Sequence, residues 1–242
     1  MFGVDLRACI VPRAGKKFII SDLAQIEPRV LGWLCGDEVL LDAVRKGYGI
    51  YEAFAVSSGM WKGAKGTLKK TDPAIYALSK AQALGLGYGC GAKKFVLVSK
   101  LMAGLDIDQT RSKEIVDSYR RKNTKVVALW NQLERGFKGS HNEDYMVELP
   151  SGRQQKYFGI TTQKGTMGKP DWRASVTLGG PKFAFWGGKL TENLVQAAAR
   201  DVFGEAILRL EKAGLPVVAH IHDEVILEVD KDVTCADVDN LM

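Results

Sequence analysis

Val217-Val218-Ala219-His220-Ile221-His222-Asp223-Glu224-Val225-Ile226-Leu227 is apolar, strand-like sequence interrupted at His222-Asp223. It alternates on both sides of that interruption. Two short β-prone runs around a two-residue break read as a β-hairpin, at about 215–229, with Asp223 where one run gives way to the next. A stretch of similar construction lies some two hundred residues earlier. There Phe18-Ile19-Ile20 leads into Ser21-Asp22-Leu23-Ala24-Gln25-Ile26-Glu27. An Asp at a strand end projects from a rigid element, a suitable mount for a metal ligand. Two such carboxylates brought together repel each other unless a cation lies between them. Hard oxygen ligands with open coordination suit Mg²⁺ bridging to substrate phosphates. Singly, each Asp reads as an ordinary turn residue, the commoner role for Asp.

The surrounding chain has 242 residues, enough for one large domain or two small ones. Its 46% apolar and 26% charged content is that of a globular protein with a sizeable core. A formal net charge of +6 favours a polyanionic partner without proving one. The four cysteines, Cys9, Cys35, Cys90 and Cys235, show no C-x-x-C spacing. Neither a zinc site nor a dense disulfide framework is indicated, and the expectation is reduced, mostly buried thiols in a cytoplasmic protein. No signal-peptide pattern opens the chain, and no long uncharged apolar run would span a membrane.

Residues 1–45 read as strand, Asp-bearing turn, then helix, with Pro28 in the first helical turn where a missing N–H costs little. Residues 46–140 read as mainly helical, and Ser112–Leu133 is one helical candidate within them. Its Arg120-Arg121-Lys122 run is taken as a solvated face. Residues 141–189 are rich in Gly and Pro and read as short strands and turns. Their aromatics are mostly hairpin hydrophobic faces, although basic residues interleaved with aromatics can also form a nucleic-acid platform. Thr191–Lys212 reads as a strong helix with Thr191 as N-cap and Gly214 at C′. On it, Asn193, Gln196 and Arg200 share a face apart from the buried stripe of Leu194, Ala198, Val202, Ile207 and Leu210. Strand-rich ends around a helical middle make the fold class α+β.

Between the two acidic stretches lies Lys80-Ala81-Gln82-Ala83-Leu84-Gly85-Leu86-Gly87-Tyr88-Gly89. Lys80, Leu84 and Tyr88 recur every four residues and line one helical face. Each Gly in such a helix costs roughly 1 kcal/mol against Ala. The pattern implies either close approach of something flat to the backbone or a bend. A Lys on that face can pair with phosphate as a point charge. Alone, it reads as a surface Lys beside a core Tyr.

In this order the three elements resemble motifs A, B and C of family A DNA polymerases, the bacterial DNA polymerase I type. Leu149-Pro150-Ser151-Gly152-Arg153 and Gly187-Gly188-Lys189-Leu190-Thr191-Glu192-Asn193 point to phage members. The likeness runs from about Leu6 to Val229. It implies an antiparallel palm sheet carrying the catalytic aspartates and a mainly α-helical fingers subdomain. The palm would comprise 1–45 with motif A and 141–242 with motif C. The fingers would comprise 46–140, with the motif B helix at about 74–90.

The resemblance also implies roles. Asp22 and Asp223 match the metal-binding aspartates for two Mg²⁺ ions, with Glu224 close by. Lys80 matches the catalytic lysine on the incoming triphosphate. Gln25, Glu27, Leu84 and Tyr88 belong to the nucleotide site; Glu27 matches the residue that crowds the sugar 2′ position, and Tyr88 the tyrosine beside the nascent base pair. Gln196, Asn193, Arg200, His222 and Arg153 face the primer-template. Deoxynucleoside triphosphates and primer-template DNA are the implied partners, with no membrane. A phage-encoded member would work in the host cytoplasm.

The chain also departs from the family pattern. Tyr76 stands where the family usually has an Arg, and Leu84 where it has Phe or Tyr. A thumb and an exonuclease domain have no room, so the chain reads as the fingers plus most of the palm, as a fragment or one piece of a split polymerase. The rival expectations are a single-subunit RNA polymerase relative, opposed by Glu27 and Glu224, and a catalytically silent DNA-binding fragment.

Overall fold

The computed structural model describes residues 9–165 and 168–242; the onset of the likeness near Leu6 lies outside the described residues. In chain order the elements are β1 (Lys16–Asp22), α1 (Ile26–Leu34), α2 (Glu38–Arg45), α3 (Ile50–Ser57), α4 (Leu68–Thr71) and α5 (Pro73–Gly85). After a 3₁₀ turn at Leu86–Tyr88 come α6 (Ala92–Ala103), α7 (Gln109–Lys122) and α8 (Thr124–Gly139). Then follow β2 (Tyr145–Glu148), β3 (Gln154–Lys164), β4 (Pro170–Ser175) and β5 (Phe183–Ala184). The chain closes with α9 (Gly187–Lys212), β6 (Val217–Ile221), β7 (Glu224–Asp230) and α10 (Cys235–Asp239). Both sheets are antiparallel, in the orders β1-β7-β6 and β2-β3-β4-β5, so the fold is α+β. The chain divides into two compact units, Met1–Ile26 with Ala199–Met242, and Glu27–Ala198.

The first unit is organised by period-2 alternation. In β1, Ile19 is buried and Ile20 exposed; in β7, Val225, Leu227 and Val229 are buried. These close over Phe203, Leu210 and Val238. The C-terminus of α9 stops as expected at Gly214, which has φ +75°. The Leu215 N–H donates to Leu210 O and the Gly214 N–H to Glu211 O, and Leu215 packs on the core that contains Leu210.

On the other face of β7, buried Glu228 accepts from the Arg13 backbone N–H at 2.7 Å and from Arg13 Nε at 2.6 Å. Those hydrogen bonds hold the Glu228 carboxyl below its ordinary value of 4.5. A depressed carboxyl pKa gives stabilisation that is present above 4.5 and lost as pH falls through the folded value. Glu228→Gln is therefore expected to lower the melting temperature at pH 6 but not at pH 2, in paired thermal scans. An equal difference at both pH values would remove the ionised pair from the account.

The sequence reading needs four corrections, the first three in the second unit. Thr191 is not the N-cap: α9 begins at Gly187, and the Thr191 hydroxyl donates back to Gly187 O at 2.8 Å. The candidate helix over Ser112–Leu133 is two helices, broken at Asn123, whose Nδ2 donates to Tyr119 O at 2.9 Å. The helix expected to about residue 90 is α-helical only to Gly85, then tightens, and Gly89 turns left-handed at φ +75°. Of the thiols expected to be buried, Cys9 and Cys235 are exposed.

The aromatics of the four-stranded sheet do build core. Tyr157 stands edge-on to Phe137 of α8 and to Phe185, with centroids 5.8 and 5.0 Å apart. Phe183 and Trp186 remain exposed. The Arg120-Arg121-Lys122 run is exposed as expected.

Candidate functional site

In the first unit, the antiparallel register brings the two acidic stretches together. Asp22 is the Cα partner of Glu224, and the Leu23 N–H donates to the Asp223 carbonyl at 3.1 Å. Asp22 thus ends β1 directly beside the β6–β7 turn, which is His222-Asp223. That turn uses a left-handed residue: His222 has φ 60°. Positive φ at the first central position of a two-residue hairpin loop matches the strand twist. Gln25, in the turn after β1, is also left-handed, with φ 55°.

Asp22 is exposed, and Asp223 and Glu224 are half-buried. Among the described residues no cation pairs with these three carboxylates. Nor is any group of three or more His, Cys, Asp or Glu arranged to enclose a metal ion. Such a set fits a cation that completes its coordination with phosphate and water, not a closed structural site. Arg200 is exposed, with its guanidinium 5.3 Å from the Phe203 ring centroid.

In the second unit, Lys80 and Leu84 are half-buried on α5. Tyr88 sits in the 3₁₀ turn, and its hydroxyl is buried without a hydrogen-bond partner among the described residues. Burial, then Glu27, then Glu192 push its phenol well above the ordinary 10. Gln196 Nε2 donates to Glu27 Oε1 at 3.4 Å, so Glu27, Tyr88, Gln196 and Glu192 form one neighbourhood. The turn is locked from outside. Trp130 Nε1 donates to Gly87 O at 2.8 Å, and a Cβ on Gly87 would meet Leu31 at 2.8 Å. The glycines expected to admit something flat, or to permit a bend, permit the bend and admit neighbouring protein.

Two predicted primer-template residues are engaged internally. Asn193 Nδ2 donates to Tyr157 Oη at 3.3 Å, and Arg153 Nη2 to Ala197 O at 3.1 Å. Burial pushes the Tyr157 phenol to about 12, so it stays protonated at neutral pH. A cleft of about 440 Å³ between Asp37, Ser57–Gly59 and Lys122–Lys125 includes none of the candidates. In the sequence Trp130 is only an apolar position of a helical candidate, and nothing there places Glu192 beside Tyr88. Their signal is tertiary: Trp130 lies 43 residues from the carbonyl it holds.

Comparison with known proteins identifies the family. The family model of DNA polymerase family A matches residues 1–241. The DNA polymerase of Bacillus phage SP02 is 31% identical over 255 aligned residues, covering 93% of this chain and 37% of that protein. The thermostable DNA polymerase I of Thermus filiformis is 28% identical, with 95% of this chain and 24% of that protein covered. The chain therefore spans little more than a third of these relatives at most. In fold it is similar to the POL domain of Pol1 from M. smegmatis in complex with DNA primer-template and dNTP. That match has a TM-score of 0.64 at 18% identity, over 96% of this chain and 36% of the other. The chain belongs to DNA polymerase family A.

Proposed function

We propose that this chain carries the nucleotidyl-transfer centre of a DNA-directed DNA polymerase, adding deoxynucleotides to a primer 3′-OH with release of pyrophosphate. The palm would be residues 1–45 and 141–242, and the fingers 46–140. The observation that carries the reading is the juxtaposition of Asp22 with Asp223 of the β6–β7 turn and with Glu224 at one end of an antiparallel sheet. Those carboxylates fit hard divalent cations whose other ligands are phosphate oxygens. The chemistry two Mg²⁺ ions supply, when bound, is activation of the primer hydroxyl and neutralisation of the triphosphate and leaving pyrophosphate.

The chain's own residues do the rest. Asp22 and Asp223 present oxygen ligands from a rigid sheet end, with Glu224 beside them. Lys80 places a positive charge against the phosphates, where negative charge develops. Glu27, oriented by Gln196, crowds the sugar and disfavours a 2′-hydroxyl. The Tyr88 ring, fixed by its locked turn, borders the nascent base pair, with Leu84 one helical turn before it; Gln25 is a further contact to the nucleotide. Asn193, Gln196, Arg200, His222 and Arg153 supply contacts to the primer-template. Acceptors common to all base pairs in the minor groove suit such contacts, because pair shape is read without sequence.

The partners are primer-template DNA, deoxynucleoside triphosphates and a further polymerase segment that supplies a thumb. The setting is the cytoplasm, the host's if the protein is phage-encoded. Among the described residues no helix is long and apolar enough to cross a membrane.

Primer extension in Mg²⁺, with dATP compared against ATP, tests the proposal. Extension with dATP and little with ATP is the expected result. Salt-sensitive binding to primer-template with no extension would replace it by a silent DNA-binding role. Leu84 adds a narrower expectation. Leu84→Phe is expected to change dideoxynucleotide incorporation relative to the natural substrate several-fold, since a ring replaces a branched aliphatic beside the sugar. An unchanged incorporation ratio would separate Leu84 from sugar selection.

A further inference from the structure

Lys69 lies in α4, the short turn before α5. Its Nζ sits 5.8 Å from the centroid of the Tyr76 ring, within cation–π range. Tyr76 is one helical turn before Lys80 on α5, so the two side chains share a face. The ring is held from behind. Tyr51 of α3, 8% exposed, meets it edge-on with centroids 5.8 Å apart and planes at 84°.

The backbone carrying Lys69 is also pinned. Buried Glu52 accepts from the Gly66 N–H at 2.8 Å and from the Leu68 N–H at 3.0 Å. Asp72, the nearest acid in sequence, accepts from the Ile75 N–H at 2.9 Å as the cap of α5. Among the described residues neither Lys69 nor Lys80 has an acidic partner. Two ammonium groups thus share one side of α5 with no carboxylate paired to either, an arrangement suited to an anion.

The geometry points to Lys69 as a second polyphosphate-binding cation: the Tyr51–Tyr76 pair holds it on the Lys80 face of α5, where it contacts the triphosphate of the incoming nucleotide. This inference rests on the reading of Lys80 given above. A triphosphate carries more negative charge than one ammonium neutralises. Docking Lys69 on a fixed ring lowers the entropy lost when its long side chain is ordered on the ligand. Tyr76, Tyr51 and Glu52 are positioning residues in this account.

Calorimetric titration of the chain with inorganic tripolyphosphate, and with dATP in Mg²⁺, provides the test. Lys69→Ala is expected to weaken both roughly tenfold, the effect of losing a charge-assisted contact, while Lys69→Arg keeps most of the affinity. Tyr76→Leu is expected to cost about threefold, and Tyr76→Phe nothing, because the ring remains. In primer extension the same variants raise KM for the nucleotide more than they lower kcat.

Lys69 is exposed, so its replacement leaves the melting temperature unchanged. Unaltered affinity in Lys69→Ala, with loss in Lys80→Ala, overturns the role of Lys69 and leaves that of Lys80 standing. A loss in Lys69→Ala with none in Tyr76→Leu overturns the positioning by the ring. No loss in Lys80→Ala, or no binding by the unaltered chain, overturns the reading of the α5 face itself.

Discussion

Asp22→Ala and Asp223→Ala are each expected to slow primer extension by at least about a thousandfold, with melting temperatures close to that of the unaltered chain. The magnitude follows from what a catalytic divalent cation contributes to charge stabilisation, several kcal/mol, at tenfold in rate for each 1.36 kcal/mol. The stability side follows from position. Asp22 is exposed, Asp223 is half-buried, and neither carboxylate holds an ion pair among the described residues. What fixes the β1–β7 junction is backbone, the Leu23 N–H on the Asp223 carbonyl, and both substitutions leave it in place.

Because the two carboxylates would act on the same cations, the double variant should be little slower than either single one. Glu224→Ala should cost less, since its strand position places it beside the pair. Binding of Mn²⁺, followed by its electron paramagnetic resonance signal, should weaken in parallel with the rates. Extension that persists in both single variants would sink the mechanism. Loss of extension with Mn²⁺ binding intact would move the aspartates from metal binding to another role.

The parts that were legible in the sequence are those written by local alternation. The Val217–Leu227 hairpin and the Phe18–Asp22 strand each carry their period and turn within ten or so residues. The end of α9 was legible because Gly214 supplies a left-handed residue at the right place. Its beginning was not. Gly187 and Gly188 look like loop by propensity, and only the tertiary contacts behind them explain their place in a helix. The break at Asn123 was hidden because the apolar spacing of α7 continues into α8.

The site was half legible for the same reason. The acidic stretches identify themselves, but Gln196 meets Glu27 across 169 residues. Lys69 reaches Tyr76 across Pro73, where no periodicity connects them.

Gly188→Ala gives the sharpest measure of those tertiary contacts. A Cβ at Gly188 would lie 2.1 Å from the Tyr88 carbonyl oxygen, 2.6 Å from its carbon and 3.1 Å from Gly89 Cα. All three are backbone atoms, so no side chain can rotate out of the way. Either α9 or the Leu86–Gly89 turn must shift, and that turn is held by Trp130 on the Gly87 carbonyl. Overpacking of this kind costs roughly 1–3 kcal/mol, or a melting temperature lower by several degrees in a chain of this size.

Gly204, on the same helix, is the control, because its Cβ would meet nothing within 4 Å. Gly204→Ala should instead stabilise by up to about 1 kcal/mol, the gain in helix propensity. One substitution type on one helix is thus expected to act with opposite signs. The displaced turn carries Tyr88, so Gly188→Ala should also raise KM for deoxynucleotides, and Gly204→Ala should not. Thermal scans and steady-state extension on the two variants read both effects. If Gly188→Ala were as stable as Gly204→Ala, the close approach of α9 to the Tyr88 carbonyl would not be a constraint on the folded chain, and the turn would need another explanation for its glycines.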